Sequence, residues 1–244
     1  MTVTPARPLT ETDQVTVVVA TRNRRDRLME TLPRHAAPTV LVDNGSDDGG
    51  PDLIAARFPR IEVVRLGENR AAAARNVGVE RATTPYVAFA DDDSYWEPGS
   101  LARAAGLLDA HPRTALLTAR VLVGREGRLD HTSAAQAAAP LGVPQGAPGP
   151  AVLGFLACAV VVRRDDFLAA GGFRAQLRVY GEEALLAMDL AAAGRHLAYT
   201  PELTVRHLPL PAGRDQRARR RMESRNRLLT AVLRRPPAVV ARTA

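Results

Sequence analysis

The chain contains no lysine, one cysteine and few aromatic residues, and each shortage narrows what it can be. A single cysteine, Cys158, excludes an intrachain disulfide framework and any metal site built from several thiolates. It lies in the apolar run VLGFLACAVVV and reads as a small core residue. Aromatics make up 4% of 244 residues, so Val, Leu and Ala must fill the core. Stacking platforms for nucleic-acid bases are correspondingly scarce. All 33 basic residues are arginine, against 26 acidic residues, for a formal charge of +7. That excess fits either an anionic partner or a composition-wide preference for arginine over lysine.

Long apolar runs are also missing. The longest, Ala151 to Val162, is broken by Gly154 and falls short of the roughly 20 residues a membrane span needs. The N-terminal MTVTPARPLTETDQ is polar and lacks the apolar stretch of a secretory signal. A soluble, cytoplasmic protein is expected, touching a membrane at most peripherally through an Arg-rich helix near the C-terminus.

What is present is an alternation. Strands are expected at Val15–Ala20, Thr39–Val42, Ile61–Leu66, Tyr86–Ala90 and Ala115–Val123, with helices at Arg24–Arg34, Asp52–Phe58, Ala71–Arg81 and Pro98–Ala110. Short β-branched runs joined through helices imply an α/β fold, an open twisted mostly parallel sheet flanked by helices. Residues 124–150, rich in Gly, Pro and Ala, read as a long loop. A strand, or two meeting at Gly154, is expected over Val152–Val162, then a helix at Glu182–Ala193 and short strands at His196–Thr200 and Leu203–His207. These make a smaller mixed sheet in the C-terminal half. An Arg-rich helix follows at Asp215–Arg234. Residues 1–14 read as a flexible N-terminus, 15–235 as a single domain with halves at 15–123 and 124–235, and 236–244 as a frayed tail.

In open α/β sheets, ligands bind beyond the carboxyl ends of the strands, and the chemistry-bearing residues of the first half fall there. Asp91-Asp92-Asp93 ends a strand. Three adjacent carboxylates repel one another, and a divalent cation shared with a diphosphate relieves that cost; the alternative is a solvated acidic turn before a helix. Asp43, in VLVDNGSDDGG, either accepts the N–H of a base edge or closes an Asx turn. Arg75 and Asn76 lie one turn into an Ala-rich helix, where arginine offers a donor fork for phosphate or a base carbonyl, or a surface ion pair. Glu182 and Glu183 begin a helix. One of them suits the general base that a displacement at a sugar carbon requires, or both merely favour the helix dipole. His207, ending LTVRH, is a candidate metal ligand or an ordinary histidine. His131 is a weaker candidate.

Taken in order, strand-TRNR, strand-DNGS, ENR-x4-RN-x-G, strand-DDD, GFLACAVVVRRDDFLAAGGF and GEE-x5-DL-x3-G resemble the inverting family 2 glycosyltransferases with the GT-A fold. The resemblance covers roughly Val15 to Arg235. It implies transfer of a sugar from a nucleoside-diphosphate sugar, UDP-linked by preference, to an acceptor hydroxyl, assisted by Mn2+ or Mg2+. The acceptor would be a glycan, a lipid-linked sugar or a small metabolite. The half at 15–123 would bind the nucleotide sugar and the half at 124–235 the acceptor. By the same resemblance Thr21 and Asn23 line the nucleotide pocket, Asp43 holds the base, and Arg75 sits near base and phosphates. Asp91 and Asp92 serve the ribose and donor sugar, Asp93 completes an Asp-x-Asp metal site, and His207 reaches the metal or diphosphate. Glu183 is the implied catalytic base. Gly171-Gly172-Phe173 packs beside the acceptor. The family usually shows Glu-Asp where this chain has Glu182-Glu183, so Glu182 stays open as the base.

Other classes compete. A sugar nucleotidyltransferase would share the sheet and carboxylates, but Thr21-Arg22-Asn23-Arg24 lacks the glycines of its first loop. A nucleic-acid binder is suggested by RDQRARRRMESRNR, yet no recognition motif accompanies it, and no nucleic-acid partner is expected. A degenerate homologue that binds nucleotide without turnover is the third alternative.

Overall fold

The computed structural model describes residues 12–209 and 216–243. Among the described residues nine strands form one sheet: β1 (Val15–Thr21), β2 (Thr39–Asp43), β3 (Ile61–Arg65), β4 (Tyr86–Asp91), β5 (Ser94–Trp96), β6 (Thr114–Val123), β7 (Arg128–Leu129), β8 (Val160–Arg163) and β9 (His196–His207). Their order is β3-β2-β1-β4-β8-β6-β9-β5, with β7 paired to β6. The first four strands are parallel, as the strand-helix alternation requires. From β8 onward the pairing is mixed, so the strands of the C-terminal half continue the same sheet.

The helices are α1 (Arg25–Thr31), α2 (Gly50–Arg57), α3 (Ala74–Arg81), α4 (Ser100–Ala110), α5 (His131–Ala137), α6 (Arg164–Ala169), α7 (Glu182–Ala192), α8 (Gln216–Arg234) and α9 (Pro237–Thr243). They cover both faces of the sheet, which explains the unbroken apolar strands. Val17 and Val19 of β1 join Leu28, Ile54 and Leu101 on one side. Val18, between them, joins Val79, Phe89 and Leu186 on the other. This is the two-residue period of a strand, with both faces buried.

Several expectations change. The stretch 124–150 is not a bare loop: it holds β7 and α5, whose first turn is capped by the Asp130 carboxylate accepting from Thr132 N at 2.7 Å. Of Val152–Val162 only the last part is strand, because a 3-10 turn occupies Ala157–Ala159; an apolar run reports burial and leaves backbone geometry open. The two short strands at 196–207 are one, β9, bulged where its pairing advances from Thr200 to Thr204. Pro201 lies in that bulge, where no ladder donor is needed. The tail forms α9. The expected start of the Arg-rich helix at Asp215, and residues 1–11, lie outside the described residues.

Candidate active site

Strand register builds the site. Thr21 of β1 faces Asp43 of β2, and Ala20 faces Asp91 of β4, so three carboxyl ends stand side by side. β5 turns back from Asp91–Asp93 and pairs antiparallel with β9, setting Ser94 opposite His207. That pairing carries His207 from the far end of the chain to the aspartates: its Nε2 lies 3.3 Å from Asp93 Oδ1.

Each aspartate has a different environment. Asp91 is ion-paired with Arg75 of α3. Asp92 accepts from Thr21 Oγ1 at 3.2 Å and has Arg24 Nε at 3.9 Å. Burial, then the charges of Asp93 and Asp91, push its pKa up to about 7 against the opposing pull of Arg24 and Thr21. Asp93 is 8% exposed. Burial alone would lower the pKa of His207, but the hydrogen bond and charge of Asp93, with Asp91 and Asp130 beyond, raise it. Asp130 was not singled out by sequence; its loop position gave no signal.

Arg75 joins this corner to the second motif. Burial would weaken its hold on the proton. The charges of Asp91 and Glu183, with Glu182 behind, reverse that and raise its pKa. One guanidinium therefore feels β4 through an ion pair with Asp91 and the start of α7 through charge. Glu182 is buried, and burial followed by the charge of Glu183 pushes its carboxyl up to about 8. Glu183 is partly exposed and lines a cleft of about 500 Å3. Its Oε2 accepts from Gly181 N at 3.4 Å. Arg75 Nε and Glu182 Oε2 are buried without a hydrogen-bond partner among the described residues.

The remaining candidates divide. Asn23, at φ 55, braces the loops: its N–H donates to Ser46 Oγ and its Oδ1 accepts from Asp47 N, both at 2.9 Å. The Asp43 carboxylate, 3% exposed, closes an Asx turn by accepting from Ser46 N at 3.1 Å. Asn23 and Asp48, with Arg24 and Arg27, line a second cleft of about 650 Å3 beside Asp92. Gly171-Gly172-Phe173 reaches α3 through Asn76. Cys158 is buried beneath the site; burial, then the charges of Asp91 and Asp93, raise its thiol pKa well above the usual value. His131 stands apart, with its side chain 94% exposed.

Among the described residues no three His, Cys, Asp or Glu side chains converge as a metal cage. Asp93 and His207 nevertheless offer one carboxylate oxygen and one imidazole nitrogen close together. That is a donor set for a cation completing its shell with water and substrate phosphate. Burial, with the charges of Asp93 and Asp91 behind it, holds Asp92 protonated to about pH 7, and a cation here would offset the charge part of that cost.

Comparison with known proteins gives a consistent picture. The family model described as Glycosyl transferase family 2 matches residues 16–168. The pre-mycofactocin glycosyltransferase of Mycobacterium tuberculosis is 31% identical over 203 residues, 79% of this chain and 42% of the relative. The succinoglycan biosynthesis protein ExoU of Rhizobium meliloti is 30% identical over 96 residues, 36% of this chain and 28% of that protein. The chain thus spans less than half the length of these curated relatives. Among solved structures, the mannosyltransferase PcManGT from Pyrobaculum calidifontis in complex with GDP-Man and Mn2+ superposes with TM-score 0.69 at 23% identity, covering 94% of this chain and 68% of that one. Residues 1–349 of S. aureus TarS in complex with UDP-GlcNAc give 0.67 at 19% identity, over 90% of this chain and 66% of TarS 1–349. At these identities the likeness is one of fold.

Proposed function

The chain belongs to glycosyltransferase family 2, and from that premise we propose that it moves a sugar, with inversion and with divalent-cation assistance, from a nucleoside-diphosphate sugar to an acceptor hydroxyl. The observation that carries this reading is the position of Arg75. Its guanidinium is paired with Asp91 and lies within the field of Glu183. A donor-type corner and a base-type helix start therefore act on one side chain.

In this reading the diphosphate lies along Thr21 and Arg24, with Asp43 at the base and Asp91 and Asp92 toward the ribose and sugar. Asp93 and His207 would hold Mn2+ or Mg2+, which supplies neutralisation of charge on the departing diphosphate. The acceptor oxygen attacks the anomeric carbon from the face opposite the leaving group. As the new C–O bond forms and the C–O bond to phosphate breaks, the acceptor proton passes to the Glu183 carboxylate. Glu183 is chosen over Glu182 because it lines the open cleft, whereas Glu182 is buried with a carboxyl that keeps its proton to about pH 8.

The test is thermal stabilisation of the full chain by UDP or GDP with Mn2+. A melting shift that needs both metal and diphosphate, and that vanishes in Asp93→Ala, is expected. If neither diphosphate shifts melting at any Mn2+ concentration, the donor-site reading fails. A screen of nucleotide sugars for metal-dependent hydrolysis then identifies the donor and separates an active enzyme from a degenerate one.

A further inference from the structure

The Arg-rich helix, which its sequence leaves open as a solvated face, an acceptor-side wall or a patch for anionic headgroups, is one wall of the cleft that holds Glu183. Arg219, Glu223, Arg227, Thr230 and Ala231 of α8 line it together, spaced by the three and four residues of one helical face. The helix is locked in place by Asn226, which is fully buried. The two N–H groups of Asn226 Nδ2 are shared among three carbonyls in the segment just before α7, those of Leu177 at 2.6 Å and of Val179 and Tyr180 at 2.8 Å. The cleft is therefore formed by the same loop that delivers the glutamates.

Its walls differ in character. Phe155, Leu156, Ala184 and Met188 form an apolar side, extended by Val239 of α9. The other side is cationic. Arg219 is engaged, bonded to Glu223 at 2.8 Å and stacked 5.0 Å from the centre of the Tyr180 ring. Arg227 and Arg235 are exposed, and their side chains make no ion pair or hydrogen bond among the described residues. Arg227 lies in α8 and Arg235 just past its end, eight residues on. Two uncommitted guanidiniums beside an apolar wall, both opening onto Glu183, match a ligand of mixed character.

Resting on the reading of Glu183 as base, we propose that this cleft is the acceptor subsite and that it selects an anionic amphiphile. The apolar body lies on Phe155, Leu156 and Met188, and a phosphate or carboxylate is gripped by Arg227 and Arg235. A neutral sugar hydroxyl would leave both arginines unused, and a bare anion would leave the apolar wall unused.

The experiment is isothermal titration of the full chain with two anions and their neutral counterparts. Octyl phosphate, below its micelle concentration, stands for a lipid-linked phosphate and is compared with 1-octanol. 3-(4-Hydroxyphenyl)propionate stands for a free small acid and is compared with its amide. At least one anion is expected to bind about tenfold or more tighter than its neutral partner. The Arg227→Gln/Arg235→Gln pair should remove that preference, and Arg227→Lys/Arg235→Lys should restore most of it; all three proteins are checked for equal melting temperature. Which anion wins distinguishes lipid-linked from free acceptors. No binding by either anion, equal binding of anion and neutral partner, or a preference unchanged in the Gln pair overturns the proposal. The Mn2+-diphosphate melting shift is measured separately on the wild type, so loss of the donor reading is not confused with loss of this one.

Discussion

Asn76 and Phe173, 97 residues apart, exchange two hydrogen bonds: Asn76 Nδ2 donates to the Phe173 carbonyl, and Phe173 N donates to Asn76 Oδ1, both at 2.9 Å. The side-chain amide acts as a substitute strand edge, tying α3 to the turn after α6. Space is tight there. Gly172 adopts φ +61, and a Cβ on it would sit 2.6 Å from Asn76 Oδ1 and 2.9 Å from the Phe167 ring. Phe173 completes a trio with Phe89 and Phe167 at centroid separations of 5.4 to 5.5 Å, directly under the strand that ends at Asp91.

Asn76→Ala leaves the buried Phe173 N–H and carbonyl without partners. A loss of about 3 kcal/mol is expected, read as a lower urea midpoint at unchanged slope. Because Arg75 is the neighbouring residue, sugar transfer should fall as well. Full stability in this variant would show that water replaces the clamp.

Gly78 of α3 makes a second demand on close approach. A Cβ there would meet Val18 Cγ1 at 2.3 Å and Val42 Cγ2 at 3.1 Å, so α3 rides directly on β1 and β2. Gly78→Ala removes an unfavourable glycine from a helix yet is expected to destabilise by about 1–3 kcal/mol through overpacking. Thermal denaturation decides between the two signs. Gly78→Ala/Val18→Ala should recover part of the loss.

The parallel half was legible because each strand is a short, mostly apolar run closed by polar residues: pattern alone gives Val15–Ala20, Thr39–Val42 and Tyr86–Ala90, each one residue short of the observed strand. The proximity of Asp93 to His207 was suggested only by motif order, since the antiparallel pairing of β5 with β9 is a long-range choice that local sequence does not encode. β5, three residues long, was missed for its length. Asp43 shows the reverse case: turn chemistry predicted its loop, and its carboxylate is bonded within that loop, while the Asn23 side chain reaches across to Asp47 N. The sequence leaves α8 open between a solvated face, an acceptor-side wall and a headgroup patch, because charge dominates it. The few residues that bury it, Asn226, Thr230 and Ala231, are small or polar.

His35 follows the 3-10 turn Leu32–Arg34, and neither ring nitrogen has a hydrogen-bond partner among the described residues. Burial lowers its pKa from 6.5 to about 4. The unfolded ring takes a proton near 6.5 while the native ring resists until about 4. The unfolded state therefore binds more protons in that window, and stability falls as pH drops through it. A loss of about 2 kcal/mol is expected, allowing for the ring's partial exposure. His35→Leu should flatten this part of the profile; an equal acid-side slope in wild type and variant would assign the loss to other groups.

The two glutamates should part company when each is made neutral. Burial and the charge of Glu183 hold Glu182 protonated to about pH 8, whereas an unfolded glutamate ionises near 4.5. At pH 7 Glu182 is already an uncharged acid, and Gln reproduces its shape and neutrality. Glu182→Gln should therefore change turnover by less than about tenfold, while Glu183→Gln, which deletes the proposed proton acceptor, should lose about 100- to 10,000-fold. Stability supplies a second readout. Between pH 4.5 and 8 the native state of the wild type binds the extra proton, so its stability declines as pH rises through that window. Glu182→Gln removes this decline, and its melting temperature relative to wild type should climb with pH. If Glu182→Gln loses turnover while Glu183→Gln keeps it, both remaining folded, Glu182 is the base and the assignment reverses. If both retain turnover, neither glutamate takes the proton.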